Sequence, residues 1–135
     1  MNYKYEQKVL FKYCDPAGIV FFPRYAELLN DAVESFFSDV LSWPFERMHP
    51  GSGVPTVSFS MEFGAPSFHG DHLNLQITVQ NIGRTSLNLI TNAVCQEETR
   101  FVADQTLVYV EARGKPQLWP DEARTKLIKF METDI

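Results

Sequence analysis

Between Tyr13 and Tyr25 the chain sets an acid, a sharp turn, a short apolar stretch and a proline that can start a helix. Asp15 is the acid. Asp15-Pro16-Ala17-Gly18 is turn chemistry, since proline presets φ and Gly18 can take a conformation closed to other residues. Pro23 suits the first position of a helix, where its missing N–H costs nothing. A carboxylate can attack a carbonyl or take a proton from water. A helix N-terminus offers N–H groups and positive partial charge to a developing oxyanion. An acid one short loop from a helix entrance is therefore the minimum for hydrolysing an ester or thioester, with Asp15 as nucleophile or as general base.

Cys14 is the rival nucleophile. It needs a positioned base and a depressed pKa. His49, His69 and His72 are not near it in sequence, and the adjacent carboxylate disfavours its thiolate. Adjacent strand residues point to opposite faces, so Cys14 and Asp15 are not expected to share a site. His69-Gly70-Asp71-His72 reads as straddling a hairpin turn with no third ligand, so neither a metal nor another cofactor is expected. Gly51-Ser52-Gly53 lacks the spacing of a nucleophile elbow.

These residues need elements to hold them. Residues 3–13 read as a strand. Residues 23–41 carry Tyr25, Leu28, Leu29, Ala32, Val33, Phe36, Phe37, Val40 and Leu41 at helical spacing. Arg47 to Pro55 reads as a loop. Period-two alternation predicts strands over 56–63, 72–82, 86–96 and 101–111. Val57, Phe59, Met61 and Phe63 share one face of the first of these. Pro120 opens a terminal helix with Ala123, Leu127, Ile128 and Met131 as buried candidates. One long helix needs a surface to cover it. An α+β arrangement follows, a five-stranded antiparallel sheet wrapped round one helix. Its open edges predict oligomerisation.

The 135 residues and a hydrophobic fraction of 44% suit a single domain over 1–135. The net charge, 12 − 17 = −5, argues against nucleic-acid binding, and an anionic ligand would need a local basic cluster. The longest apolar run, residues 19–22, is too short for a membrane span. Met1 to Glu6 lack the apolar stretch of a signal peptide, so a cytoplasmic location is expected. The cysteines, Cys14 and Cys95, read as free thiols.

Cys-Asp-Pro-Ala-Gly-Ile-Val-Phe-Phe-Pro-x-Tyr at 14–25 resembles the hotdog-fold acyl-CoA thioesterases, in their 4-hydroxybenzoyl-CoA thioesterase branch. Gly70-Asp71-x-Leu73 and Ile82-Gly83-Arg84-x-Ser86 agree in order. The resemblance covers roughly residues 5 to 130. It implies hydrolysis of an acyl-CoA at a subunit interface, in dimers with a continuous sheet and in homotetramers built from them. It places the catalytic aspartate at Asp15 and the carbonyl-polarising N–H near Phe22. Related members outside this branch carry a histidine at the Phe22 position, and this chain has none there. Gly18, Tyr25 and Phe59 fall at substrate-binding positions, and Phe21, Phe22, Trp43 and Met61 join Phe59 in setting pocket size. Asn30 is either the edge of the apolar stripe or a reader of a polar acyl substituent. Arg84 is either an exposed turn residue or a contact to coenzyme A phosphate, with Arg100, Arg113 and Lys115 behind it. A non-catalytic acyl-CoA binding module and a thioesterase for acyl-carrier protein are the alternatives. A hydratase of the same fold would carry a catalytic Asp–His pair farther along the chain, and this sequence shows none.

Overall fold

A computed structural model describes residues 2–133; Met1 and residues 134–135, the ends of the expected domain, lie outside the described residues. The elements are β1 (Asn2–Lys8), α1 (Pro23–Leu41), α2 (Phe45–Met48), β2 (Ser52–Gly53), β3 (Thr56–Phe63), β4 (His72–Ile82), β5 (Ser86–Cys95), β6 (Glu98–Val108), β7 (Val110–Glu111) and α3 (Asp121–Glu132). Five strands form one antiparallel sheet in the order β1-β4-β5-β6-β3, and β2 pairs with β7 in a small ribbon. This is the expected α+β arrangement. No helix among the described residues is long and apolar enough to cross a membrane.

The core lies between α1 and the concave face of the sheet. Leu28, Leu29, Ala32, Val33, Phe36 and Phe37 of α1 are buried, as the helical spacing requires. They meet Leu73, Leu75 and Ile77 of β4, Leu87 and Leu89 of β5, and Phe101 and Leu107 of β6. α1 ends at Ser42, which is left-handed at φ 51° and donates its N–H to Phe37 O. α3 adds Ala123, Leu127 and Phe130, the last packing edge-on to Phe36 at 5.4 Å. The sequence pattern misplaced part of this stripe: Met131 is exposed and Ile128 half-buried, because the helix rotates Phe130 inward.

Several boundaries differ from the alternation. β1 stops at Lys8, not residue 13, because its partner β4 begins at His72. Val9 and Gly70 exchange the last rungs with Asp71 and Val9, and the chain then bends through a single 3₁₀ turn at Phe11–Tyr13. β5 and β6 join through a two-residue turn, Gln96–Glu97, with φ 51° and 65°. β6 therefore starts at Glu98. It ends at Val108, since Tyr109 N–H turns to Thr85 O and Val110–Glu111 pair with Ser52–Gly53. The loop expected over 47–55 thus holds the end of α2 and all of β2.

β3 is the exception to the alternation argument. A bulge at Val57 interrupts its register with β6, and Phe59, Met61 and Phe63 face the concave side opposite Gln105, Ala103 and Phe101. Met61 is partly buried against the core and Phe63 touches Phe22 and Tyr25, but the described residues leave much of this face open. Val57, Phe59 and Phe63 are 61%, 46% and 52% exposed.

Candidate active site

The segment after the 3₁₀ turn closes on itself. Cys14 bridges Val20 antiparallel, Asp15 N–H donates to Ile19 O at 2.9 Å, and Phe21 N–H donates to Tyr13 O at 2.9 Å. Gly18, at φ +83°, makes the reversal and donates to Asp15 O. The Asp15 carboxylate is half-buried and accepts Ala17 N–H through Oδ1 at 2.9 Å. A cavity of about 290 Å³ is lined by Lys12, Cys14, Asp15, Pro16, Phe21 and Arg24. Loop acid and helix entrance therefore share one concavity.

At that entrance Phe22 caps α1 with φ −51° and Pro23 follows at the first helical position. Its carbonyl accepts Tyr25 N–H and Arg24 N–H bonds Phe21 O. Among the described residues, Phe22 N–H makes no hydrogen bond within the chain. The first turn holds no acidic residue. A free N–H, a helix terminus and Arg24 together favour an anionic oxygen there. Arg24 is itself paired with Glu27 at 2.9 Å, both exposed, so its charge is partly answered.

A second loop, residues 64–71, supports the first. Ser67 is fully buried; its carbonyl accepts Val20 N–H at 2.9 Å and its hydroxyl accepts the Tyr25 OH at 2.8 Å. Ile19 bridges Phe68, and His69 N–H donates to Gly18 O. Burial pushes the Tyr25 hydroxyl above its ordinary pKa, which keeps it a donor. Arg100 of β6, 5% exposed, donates from Nη1 to Pro66 O at 3.0 Å and to Asp71 Oδ2 at 2.7 Å. Its Nε lies 3.0 Å from Glu98 Oε1 as an ion pair, although that N–H is not aimed at the oxygen. Asp71 also accepts Phe68 N–H at 2.9 Å. That backbone bond, with Arg100 behind it, outweighs burial and holds the Asp71 carboxyl below its ordinary range. Burial works against the Arg100 charge, but the Asp71 contact more than offsets it and the guanidinium is held charged.

Asp15, Gly18 and Phe22 come together in this structure. Tyr25 is buried against Phe63 and Phe101 and is bound to Ser67, so within one chain its hydroxyl is occupied. Asn30 is exposed one turn further along α1 and lines an adjoining cavity of about 680 Å³ with Lys12, Arg24, Glu27 and Asp31. Phe59 lies on the uncovered face of β3. Arg84 is exposed in the β4–β5 turn, where Trp119 N–H reaches its carbonyl. That turn adjoins Tyr109 and Trp43, at the C-terminal end of α1. A helix of 19 residues is about 28 Å long, so Arg84 and Trp43 stand at the opposite pole from Asp15.

Two sequence expectations need correction here. Cys14 and Asp15 line the same cavity, because the strand whose alternation would separate them ends at Lys8. Cys14 Sγ donates to Leu10 O at 3.6 Å; Cys14 and Cys95 are both free thiols. Arg100 cannot reach a phosphate, being buried on Asp71 and Pro66. Sequence reasoning also overlooked Lys12, Arg24 and Ser67. Lys12 and Arg24 flank the motif at both ends, which is a signal; Ser67 carries none, since only the fold brings it under Tyr25.

The family model of the Thioesterase-like superfamily matches residues 9–127. A 1,4-dihydroxy-2-naphthoyl-CoA hydrolase from Nostoc punctiforme is 25% identical over 137 residues, covering 99% of this chain and 89% of that protein. A 4-hydroxybenzoyl-CoA thioesterase from a Pseudomonas species is 30% identical over 84 residues, 60% of each chain. Among solved structures, a 1,4-dihydroxy-2-naphthoyl-CoA thioesterase from Synechocystis superposes with a TM-score of 0.85 at 21% identity, covering 95% of this chain and 96% of the other. The hotdog fold is shared with such structures.

Proposed function

The chain belongs to the Thioesterase-like superfamily and is a thioester hydrolase, and on that premise we propose that it hydrolyses an acyl-CoA using Asp15 and the Phe22 N–H. The observation that carries this is the closed 13–21 loop, which sets a carboxylate beside a helix entrance whose first N–H is free. The thioester oxygen accepts the Phe22 N–H as negative charge develops on it. In one route an Asp15 oxygen attacks the carbonyl carbon, the C–S bond breaks, and coenzyme A leaves as a thiolate that takes a proton from solvent. Water then opens the mixed anhydride. In the other, Asp15 takes a proton from a water that attacks the carbonyl carbon directly; the C–S bond breaks and coenzyme A leaves as a thiolate that takes up the proton. Rapid-quench mass spectrometry that catches an acylated Asp15 peptide selects the first route.

An aromatic acyl group suits the exposed rings of Phe21, Phe22 and Phe63, which touch edge to face at 5.7 and 6.0 Å. The substrates named for the two relatives are aromatic as well. Asn30, beside the same opening, would read a polar ring substituent. The uncovered β3 edge supports a site completed by a second subunit, with Arg84 reaching coenzyme A phosphate from another chain of a dimer or tetramer. Asp15→Asn tests the central claim: kcat for an acyl-CoA is expected to fall at least about 10²-fold with KM little changed. Near-normal turnover in that variant would remove Asp15 from the chemistry, and loss of activity in a folded Cys14→Ser variant would reassign the nucleophile.

A further inference from the structure

We propose that Arg100 and Asp71 are positioning residues for the reaction, locking loop 64–71 so that one support fixes both the Asp15 carboxylate and the Phe22 N–H. This rests on the assignment of Asp15 given above. Both halves of the site hang from Ser67. Its carbonyl holds Val20, and the neighbouring Phe68 and His69 hold Ile19 and Gly18, the strand that closes the Asp15 turn. Its hydroxyl holds Tyr25, in the first turn of the helix that Phe22 caps. Ser67 has no rigid element of its own. It lies in a loop whose start is tied to β6 by Gly64 N–H to Arg100 O and Ala65 N–H to Thr99 O, and whose far end is tied to Val9 O by Gly70 N–H. Across the middle of that loop, Arg100 grips Pro66 O on one side of Ser67 and Asp71 on the other. Asp71 then grips Phe68 N–H.

The arrangement has the features of a clamp rather than of a surface ion pair. The guanidinium is 5% exposed, Nη1 donates to two separate anchors, and its charge is answered inside the cluster by Asp71 and Glu98. A lysine keeps the charge, but its ammonium ends a shorter, flexible stem and lacks the planar guanidinium that fixes the directions of the two Nη1 N–H bonds toward Pro66 O and Asp71 Oδ2. Loosening Ser67 would move acid and donor relative to each other. Reactions of this kind are steep in that distance, and displacement of about 1 Å can cost about 10²-fold in rate.

A double-mutant cycle tests this. Arg100→Lys is combined with Asp15→Asn, and kcat and KM for an acyl-CoA are measured alongside thermal unfolding and oligomer mass. In the otherwise unchanged protein, Arg100→Lys is expected to lower kcat about tenfold to 10²-fold while KM stays within about twofold. In the Asp15→Asn background the same change is expected to cost several-fold less, because only the Phe22 N–H is left for the clamp to position. Asp71→Asn, close in shape, is the second variant, with the same expectation. A folded variant with unaltered kcat overturns the proposal, as does an equal loss in both backgrounds. If neither variant folds, the cluster acts in folding and the positioning role is also overturned. An active Asp15→Asn enzyme would instead remove the assignment on which the cycle is built, so the two failures are distinguishable.

Discussion

At the scale of single residues, the helix entrance offers a donor that side-chain substitution does not ordinarily reach. Phe22 already has a φ of −51°, inside the proline range, and its N–H has no partner within the described chain. Phe22→Pro should delete the donor, whereas Phe22→Ala removes the ring and keeps it. The proline variant is expected to fall below the alanine variant in kcat by about 10²-fold, in line with loss of one oxyanion donor. Equal activities in two folded variants would sink the role of that N–H. Asp71 makes a separate, pH-dependent contribution. Its carboxyl binds a proton less readily folded than unfolded, so unfolding takes up a proton in acid. The stabilisation is fully present above the ordinary carboxylate value near 3.9 and is lost as pH falls through the lower folded value. Denaturant titrations from pH 6 to pH 2 should therefore show a shallower acid loss for Asp71→Asn than for the parent. Asp15 and Gly18 were legible from sequence because turn chemistry is local. The error over Cys14 came from extending a strand past the end of its partner, which is a non-local fact.

At the scale of elements, the β5–β6 turn shows what a local pattern hides. Gln96 and Glu97 both sit at positive φ, the geometry usually given to Asn-Gly. Each non-glycine residue held there carries a strain of roughly 1 kcal/mol. Gln96→Asn with Glu97→Gly is expected to raise stability by about 1–2 kcal/mol without altering kcat, measured by urea unfolding. No gain would mean that the two side chains make compensating contacts. Because the turn carried no glycine signal, the sequence placed β6 three residues late. α1 was readable in full, since one apolar stripe faces one core. β3 was readable as a strand but not as an uncovered one: alternation shows which residues share a face, while burial depends on what α1 and α3 happen to reach.

At the scale of the whole molecule, α1 separates the two ends where the proposed site residues lie. Asp15 stands at its N-terminal pole and Arg84 at its C-terminal pole, and the helix between them is about 28 Å long. If Arg84 serves the site, it serves a site whose Asp15 belongs to another subunit. Mixing Asp15→Asn and Arg84→Ala proteins, with subunit exchange and substrate held below KM, should then restore activity above the average of the parents. In a two-fold assembly one site would carry both defects and the other neither. A mixture that stays at the average would place both residues in the same subunit's site or drop Arg84 from it. The unpaired face of β3 has a further consequence, for the life of a newly made chain. Strand edges are ordinarily kept safe by lysine or proline, and β1 does carry Lys4 and Lys8. β3 presents Val57, Phe59 and Phe63 instead. If this face pairs with a second copy, as proposed above, an unpaired monomer is an aggregation hazard with only Pro55 and Glu62 to guard the edge, and its solubility is a race between pairing and clumping. Faster synthesis should deepen that hazard, and changes that weaken pairing should surface as insoluble protein before they surface as a weak enzyme.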